Sequence, residues 1–389
     1  MRVLVIANMF PTASQPSRGI FVVRRLKEHR AAGMDITAVA LRPVRGELRA
    51  ELASLSGRPT DDDLPRGDFL DLRVKVSIAN AMFERRYYPA ATVRAAAKEL
   101  LELVDASSYD VIHAHGMYRL PAGAVAGKIA TLVGVPYVVT MHGSDVNSVM
   151  ACHPRAHAAV LRRAAGLSFV SEALREYAGS LGTDLGRSHV IPNGVDCDVF
   201  RPTMDISTSR TLETPVVAYI GNLEPIKGAD RLPAIFRAIA LKFPGVSFVV
   251  AGDGMLRDSL ERASLGLQLK FLGQISGDRV PDVMNDADLV LLPSRNEGWP
   301  CVVLEAHACE TPVIGSDVGG MAEAIGDSSF LVPQGPEFEA RFAERAVALL
   351  SVHVADRNLR ARAALYSWSA VAAREREMLT AASNRVTRP

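Results

Sequence analysis

The chain has 389 residues, 48% of them hydrophobic and 22% charged. These are the proportions of an ordinary globular protein, and the length exceeds what one core organises, so two domains are expected. Lys plus Arg number 44 against 43 Asp plus Glu, a formal charge of +1, which excludes nucleic acid as the main partner and leaves any affinity for phosphate to local groups.

The opening "MRVLVIANMF" has a short apolar run followed by Pro, Ser and Arg without a small-residue cleavage site, so it reads as a first strand, not a secretion leader. No run reaches the roughly eighteen apolar residues of a membrane helix. The four cysteines, Cys152, Cys197, Cys301 and Cys309, form no CxxC pair and no disulfide framework. A soluble protein of the reducing cytoplasm is expected.

In chain order, strands are predicted at 2–8, 35–41, 109–115, 136–142, 166–171, 215–221, 246–252, 267–273 and 288–294, each a near-continuous apolar run. Stretches of helical length such as "TVRAAAKELLELV" (92–104) lie between most of them. That alternation predicts α/β architecture with parallel sheets covered on both faces. Residues 45–68 form a polar excursion. The polar, Pro- and Thr-rich stretch 197–215 interrupts the alternation and reads as the linker between two doubly wound domains.

"NEGWPCVVLEAHACETPVIG" (296–315) follows the apolar run 288–294 and carries Glu297 and Glu305 eight positions apart. Pro300 suits the first position of a helix, so Glu297 is placed in the loop at a strand's C-terminal end and Glu305 in the second helical turn. The free N–H groups of a helix start favour an anion. Carboxylates beside an anion serve something neutral attached to it, and sugar hydroxyls fit.

Other stretches are weaker alone. "YIGNLEPIKGADRL" (219–232) lets the chain pass close to a phosphate at Gly221 while Lys227 supplies a charge; the plain reading is a capped turn with a surface lysine. In "VTMHGSDV" (139–146) a strand runs into His142-Gly143, and Ser144 can cap the next helix. Asn-Gly in "IPNGVD" (191–196) signals a turn. "AGDGML" (251–256) lacks the third glycine of a dinucleotide fingerprint. His113 and His115 have metal-like spacing without further ligands and read as core or hinge histidines. Cys301, Glu305 and Cys309 share a helix face but match no common zinc pattern. "DDD" (61–63) could be an acidic metal motif, though its place in the excursion suggests a solvated loop. Arg24, Arg25, Lys27 and Arg30 form a basic stripe that faces either anionic lipid at the inner face of the membrane or solvent.

The order of these elements is more informative than any one. "SQPSRGIFV", "HAH", "HGSD", "IPNGVD", "GNLEPIKG", "AGDG", "PSRNEGWPCVVLEAHACETPVI" and "GGMAE" in succession resemble family 4 of the retaining glycosyltransferases over nearly the whole chain. The resemblance implies a GT-B fold, two Rossmann-like domains facing across a cleft. Residues 1–205, joined by a C-terminal helix at about 366–389, would bind the acceptor, and 206–365 the nucleotide-sugar donor. It further implies that Glu297 touches donor-sugar hydroxyls, Glu305 the ribose, Lys227 the pyrophosphate, and His142 the sugar. Gly19 would let the first-domain loop approach the pyrophosphate. The helix-start residues Gly298, Trp299, Pro300, Cys301 and Val302 would line the donor groups, with the backbone N–H groups of all but Pro300 holding them; Glu297, His142 and Lys227 are the catalytic candidates.

Four positions depart from the family pattern. Asn222 replaces the usual arginine, so a phosphate-binding cation is missing for which Arg295 or Arg18 could substitute. Glu310 stands where glycine is usual, and Trp299-Pro300 replaces Phe-Gly at the pocket wall. The expected activity is hexosyl transfer from a nucleotide-diphosphate sugar, with retention and without metal or other cofactor. The acceptor would be a sugar, a lipid-linked group or a small molecule in cell-envelope, exopolysaccharide or glycolipid synthesis. A nucleotide-sugar epimerase of the same double-Rossmann plan and a non-catalytic sugar-nucleotide binder remain as rivals; a glycosidase pair would leave the phosphate-binding elements without use.

Overall fold

The computed structural model describes residues 1–12, 18–44, 68–75, 90–118, 120–203, 214–351 and 358–385. The acidic run 61–63 and most of the excursion and linker lie outside them. Two compact units divide the chain: Met1–Pro192 with Trp368–Pro389, and Asn193–Ser367.

Unit 1 holds seven parallel strands: β1 (Arg2–Ala7), β2 (Asp35–Val44), β3 (Leu70–Lys75), β4 (Val111–His115), β5 (Tyr137–Met141), β6 (Gly166–Phe169) and β7 (Ser188–Val190). Their order across the sheet is β3-β2-β1-β4-β5-β6-β7. Every residue of β4, β5 and β6 is buried, as expected of central parallel strands covered on both sides. The core joins β1 and the helix Ile20–Ala31 to the C-terminal helix Trp368–Ser383 through Val5, Val22, Leu26, Val371, Met378 and Leu379.

Unit 2 holds β8 (Val216–Ile220), β9 (Ser247–Ala251), β10 (Leu269–Gly273), β11 (Leu289–Leu292), β12 (Val313–Ser316) and β13 (Leu331–Val332) in the order β10-β9-β8-β11-β12-β13. In both sheets the order reverses beside the first strand, between β1 and β4 and between β8 and β11. The crevice beyond the carboxyl ends of such strands is where open α/β sheets bind ligands.

All nine predicted strands form; the second runs on to Val44, and the others are shorter than predicted at one or both ends. Four more were not predicted. β3 alternates charged with apolar residues, β7 and β13 are short sheet edges, and β12 lies inside the stretch read as the tail of the glutamate motif. Residues 193–203 pack within unit 2: Asn285 Nδ2 donates to Arg201 O at 3.0 Å and Asn285 Oδ1 accepts from Thr203 N at 3.1 Å. The compact division therefore falls between Pro192 and Asn193, ahead of the polar linker.

Glu310 closes the helix Cys301–Ala308 with φ 62°, the left-handed conformation for which glycine is suited. The helix end thus keeps a glycine-like backbone without glycine. Glu310 Oε1 accepts from Arg360 N at 3.1 Å.

Candidate active site

The loop 293–300 leaves the carboxyl end of β11 and leads into the helix Cys301–Ala308, with Pro300 at the cap position, one residue earlier than expected. Glu297 is only 8% exposed. Its Oε1 accepts from Lys227 Nζ at 2.9 Å and from Ser294 Oγ at 2.8 Å, and its Oε2 from Lys227 at 2.8 Å. Lys227 arrives from the short turn after β8, so this ion pair joins the loops beyond the two strands at the order reversal.

The backbone permits this approach only because residue 228 is glycine. Gly228 has φ 68°, and a Cβ there would lie 1.9 Å from the Pro293 carbonyl oxygen. Arg231 closes the same junction: it donates to Pro293 O at 2.9 Å and to Gln334 Oε1 at 2.8 Å, while Gln334 Nε2 donates to Ser294 O at 3.1 Å. Gly320 N donates to Glu297 O at 3.1 Å. Ser294, Arg231 and Gln334 carried no role in the sequence reading. Ser294 three residues before Glu297 was visible as a hydroxyl in reach of the carboxylate; the other two contacts are long-range.

Glu305 is half-buried one helical turn beyond Cys301. Burial and then the Glu305 charge push the Cys301 thiol up to about 12. Cys301 is therefore held in the thiol form, a poor nucleophile. Burial, then Glu305, does the same to Cys309. Trp299 is buried; its indole N–H donates to Asn193 O at 3.0 Å and its ring packs on Tyr366. Gly298 and Val302 are half-buried at the helix start. Asn222 is exposed, and its carbonyl accepts from Tyr219 Oη at 2.8 Å.

Arg295, a candidate replacement for the missing cation, is held by a fork to both oxygens of Asp230 at 2.7 Å each and also donates to Pro225 O. The same fork keeps the Asp230 carboxyl below its ordinary range. Phosphate would have to compete with a bidentate carboxylate for this guanidinium.

In unit 1 the candidates gather at the carboxyl ends of β1, β4 and β5. Gly19, φ 65°, starts the helix Ile20–Ala31, and a Cβ on it would lie 2.3 Å from Met9 O. His142 follows β5. Its Nε2 lies 3.1 Å from His115 Nδ1, and its ring packs on Phe21 with centroids 4.4 Å apart. Ser144 makes no side-chain cap bond. The next residue, Asp145, instead ties down the preceding loop: fully buried, it accepts from the backbone N–H of His142, Gly143, Val146 and Met117 at 2.8–3.3 Å. Burial still raises its carboxyl above the ordinary range.

The basic stripe divides. Lys27 is exposed, but Arg25 is wholly buried and donates to Glu375 Oε1 at 2.6 Å and to the carbonyls of Ile191 and Pro192. His29 Nε2 lies 2.6 Å from Glu375 Oε2. Arg25 is thus a core residue, facing neither lipid nor solvent. His113 is a core histidine, 2.8 Å from Thr140 Oγ1. Among the described residues no group of His, Cys, Asp and Glu is placed to hold a metal ion, and no helix is long and apolar enough to cross a membrane.

Residues 214–352 match the family model of the glycosyl transferases group 1, and residues 21–194 that of the glycosyl transferase 4-like domain. The chain belongs to the group 1 glycosyltransferases of family 4. It is 28% identical over 363 residues to the putative teichuronic acid biosynthesis glycosyltransferase TuaC of Bacillus subtilis (strain 168), covering 85% of each chain. It superposes on a sucrose-phosphate synthase of Thermosynechococcus elongatus with TM-score 0.72 at 20% identity, covering 98% of each chain. HepE of Anabaena, solved in complex with UDP and glucose, gives 0.66 at 20% identity, covering 98% of this chain and 99% of that one. The fold of this group 1 glycosyltransferase is accordingly GT-B, with two Rossmann-like domains.

Proposed function

We propose that this glycosyltransferase moves a hexosyl group from a nucleotide-diphosphate sugar to an acceptor with retention at the anomeric carbon and without a metal ion. The observation that carries the reading is the Lys227–Glu297 pair at the β8/β11 reversal: a cation and a hydroxyl-accepting carboxylate, 2.8 Å apart, beside a helix start. Breaking a sugar–phosphate bond develops negative charge on the leaving diphosphate. Lys227 and the N–H groups of the first turn of the helix Cys301–Ala308 meet that charge. Glu297 accepts from sugar hydroxyls, and Glu305, further along the helix, from the ribose.

His142 is the polar ring that unit 1 presents to substrate, and the acceptor hydroxyl passes its proton to a donor phosphate oxygen. The kinship to TuaC, whose name refers to teichuronic acid biosynthesis, supports an acceptor in cell-envelope polysaccharide synthesis. HepE holding UDP supports a uridine nucleotide as the first donor base to try. Incubation with a panel of UDP, GDP and ADP sugars, with and without chelator, tests the proposal when the product's anomeric configuration is read by NMR. Transfer with inversion, or transfer abolished by chelator and restored by Mn²⁺ or Mg²⁺, contradicts it.

A further inference from the structure

The motif "HAH" on β4 has no part in the reaction just proposed, yet its second histidine touches the first residue beyond β5. In the parallel register His115 lies opposite Thr140, so His142, two residues further on, stands just above it at the carboxyl edge of the sheet. The two rings are nearly parallel, 20° apart in plane, with centroids at 5.4 Å. Nδ1 of His115 and Nε2 of His142 are 3.1 Å apart. The other ring nitrogen of His142, Nδ1, is buried and has no hydrogen-bond partner among the described residues.

We propose that His115 is a positioning residue for His142: their hydrogen bond fixes the orientation and the tautomer of the His142 ring, and so decides what Nδ1 of His142 offers to substrate. This rests on the reading that His142 meets substrate.

A neutral imidazole carries one N–H and one lone pair. The bond between the two rings therefore contains one proton. If His115 donates it, His142 keeps its own proton on Nδ1 and offers a donor; if His142 donates from Nε2, its Nδ1 is a bare acceptor. A second proton in the pair would set two N–H groups against each other. Its entry is opposed from several sides. His115 is buried, as is the Nδ1 atom of the half-buried His142, and the Arg25 guanidinium lies in the same interior, balanced by Glu375, which also faces His29 and His113.

The rest of His142 is fixed independently. Asp145 holds its backbone N–H and that of Gly143, and Phe21 packs on the ring. Rotation of the ring is the freedom left, and His115 removes it.

Packing alone would be satisfied by any side chain of similar volume, whereas positioning needs a polar atom at Nδ1. His115→Leu removes that atom, and His115→Asn keeps an amide near its place. The test combines ¹⁵N imidazole NMR of the nucleotide-free full chain, with the His142 signals assigned through His142→Gln, and steady-state kinetics. In the parent, His142 should show one neutral tautomer, and in His115→Leu a tautomer mixture. The kcat of His115→Leu should fall by up to about a hundredfold, the cost of misplacing a reacting group, with donor KM little changed, and His115→Asn should restore most of it. Averaged tautomer signals for His142 in the parent overturn the proposal whether or not a variant folds. So do unchanged His142 signals in a folded His115→Leu. A changed tautomer with full turnover instead overturns the reading that His142 meets substrate.

Discussion

Lys227 and Glu297 neutralise one another: Nζ reaches both carboxylate oxygens, at 2.9 and 2.8 Å. The same ammonium proposed for the diphosphate is thus the counter-ion of the carboxylate proposed for the sugar. A diphosphate arriving at Lys227 has to share it with Glu297, and Ser294 is the donor that stays with the carboxylate meanwhile.

Replacing Lys227 by Ala removes the charge from the diphosphate. Calorimetry with UDP and with GDP should show a loss on the order of 1.5–3 kcal/mol, the worth of a hydrogen bond to a charged group. Affinity equal to the parent's for whichever nucleotide binds would make Lys227 only the partner of Glu297.

The buried ion pair in unit 1 predicts a stability effect that lies apart from the reaction. Arg25 and Glu375 are both fully buried, and Arg25 also holds the carbonyls of Ile191 and Pro192, the last residues before unit 2 begins. Glu375→Gln leaves the guanidinium charged without its counter-ion, at a cost of roughly 3–5 kcal/mol. Arg25→Met combined with Glu375→Leu should recover most of this, because an apolar pair of similar volume carries no desolvation penalty. Denaturant unfolding of the parent and the two variants decides it; a Glu375→Gln chain as stable as the parent would contradict the account.

Stability should fall as pH drops below neutrality. Burial pushes His113 and His307 down to about 4 and holds His115 and His142 well below the usual imidazole range. Each folded value lies below the unfolded one near 6.5, so unfolding takes up protons in acid. The contribution of these four groups is complete above about pH 6.5 and is lost as pH falls through the folded values. Asp145, whose carboxyl is raised, works in the opposite sense as one group against four. The unfolding free energy between pH 6.5 and 4.5 should decline by about 1.4 kcal/mol per pH unit for each proton taken up. Stability that is flat or rising over that range would show the histidines to be protonated or open to water.

What the sequence made legible was local. Strands such as "VIHAH" and "LVLL" are buried on both faces, so their apolar runs identified them without any knowledge of neighbours. β3, with Asp71, Arg73 and Lys75 interleaved among apolar residues, has no such run, and β13 has two residues. In the site, Glu297 and Glu305 stood out from a strand end and a helix start, whereas Lys227 was singled out from a plain surface lysine only by the family resemblance. Asp145 was visible in the "HGSD" motif, but four amides turning toward one carboxylate are a property of the fold. Arg25 looked like one cation of a surface stripe because its partner, Glu375, is 350 residues away. Periodicity within one helix carries no information about such a contact.

The central claim is that Glu297 acts on the sugar that reacts, while Glu305 acts on the part of the donor that does not change. The most direct measurement compares Glu297→Gln with Glu305→Gln, using calorimetry with the nucleoside diphosphate alone beside steady-state kinetics with the whole donor. The account predicts that Glu297→Gln loses turnover while binding the bare diphosphate at least as well as the parent, because Lys227 is released from its carboxylate. Glu305→Gln should weaken diphosphate and donor by similar factors, since both carry the ribose. Equal losses of diphosphate affinity in the two variants would mean the roles are wrongly divided, and normal turnover in both would remove the glycosyl-transfer site from this loop and helix.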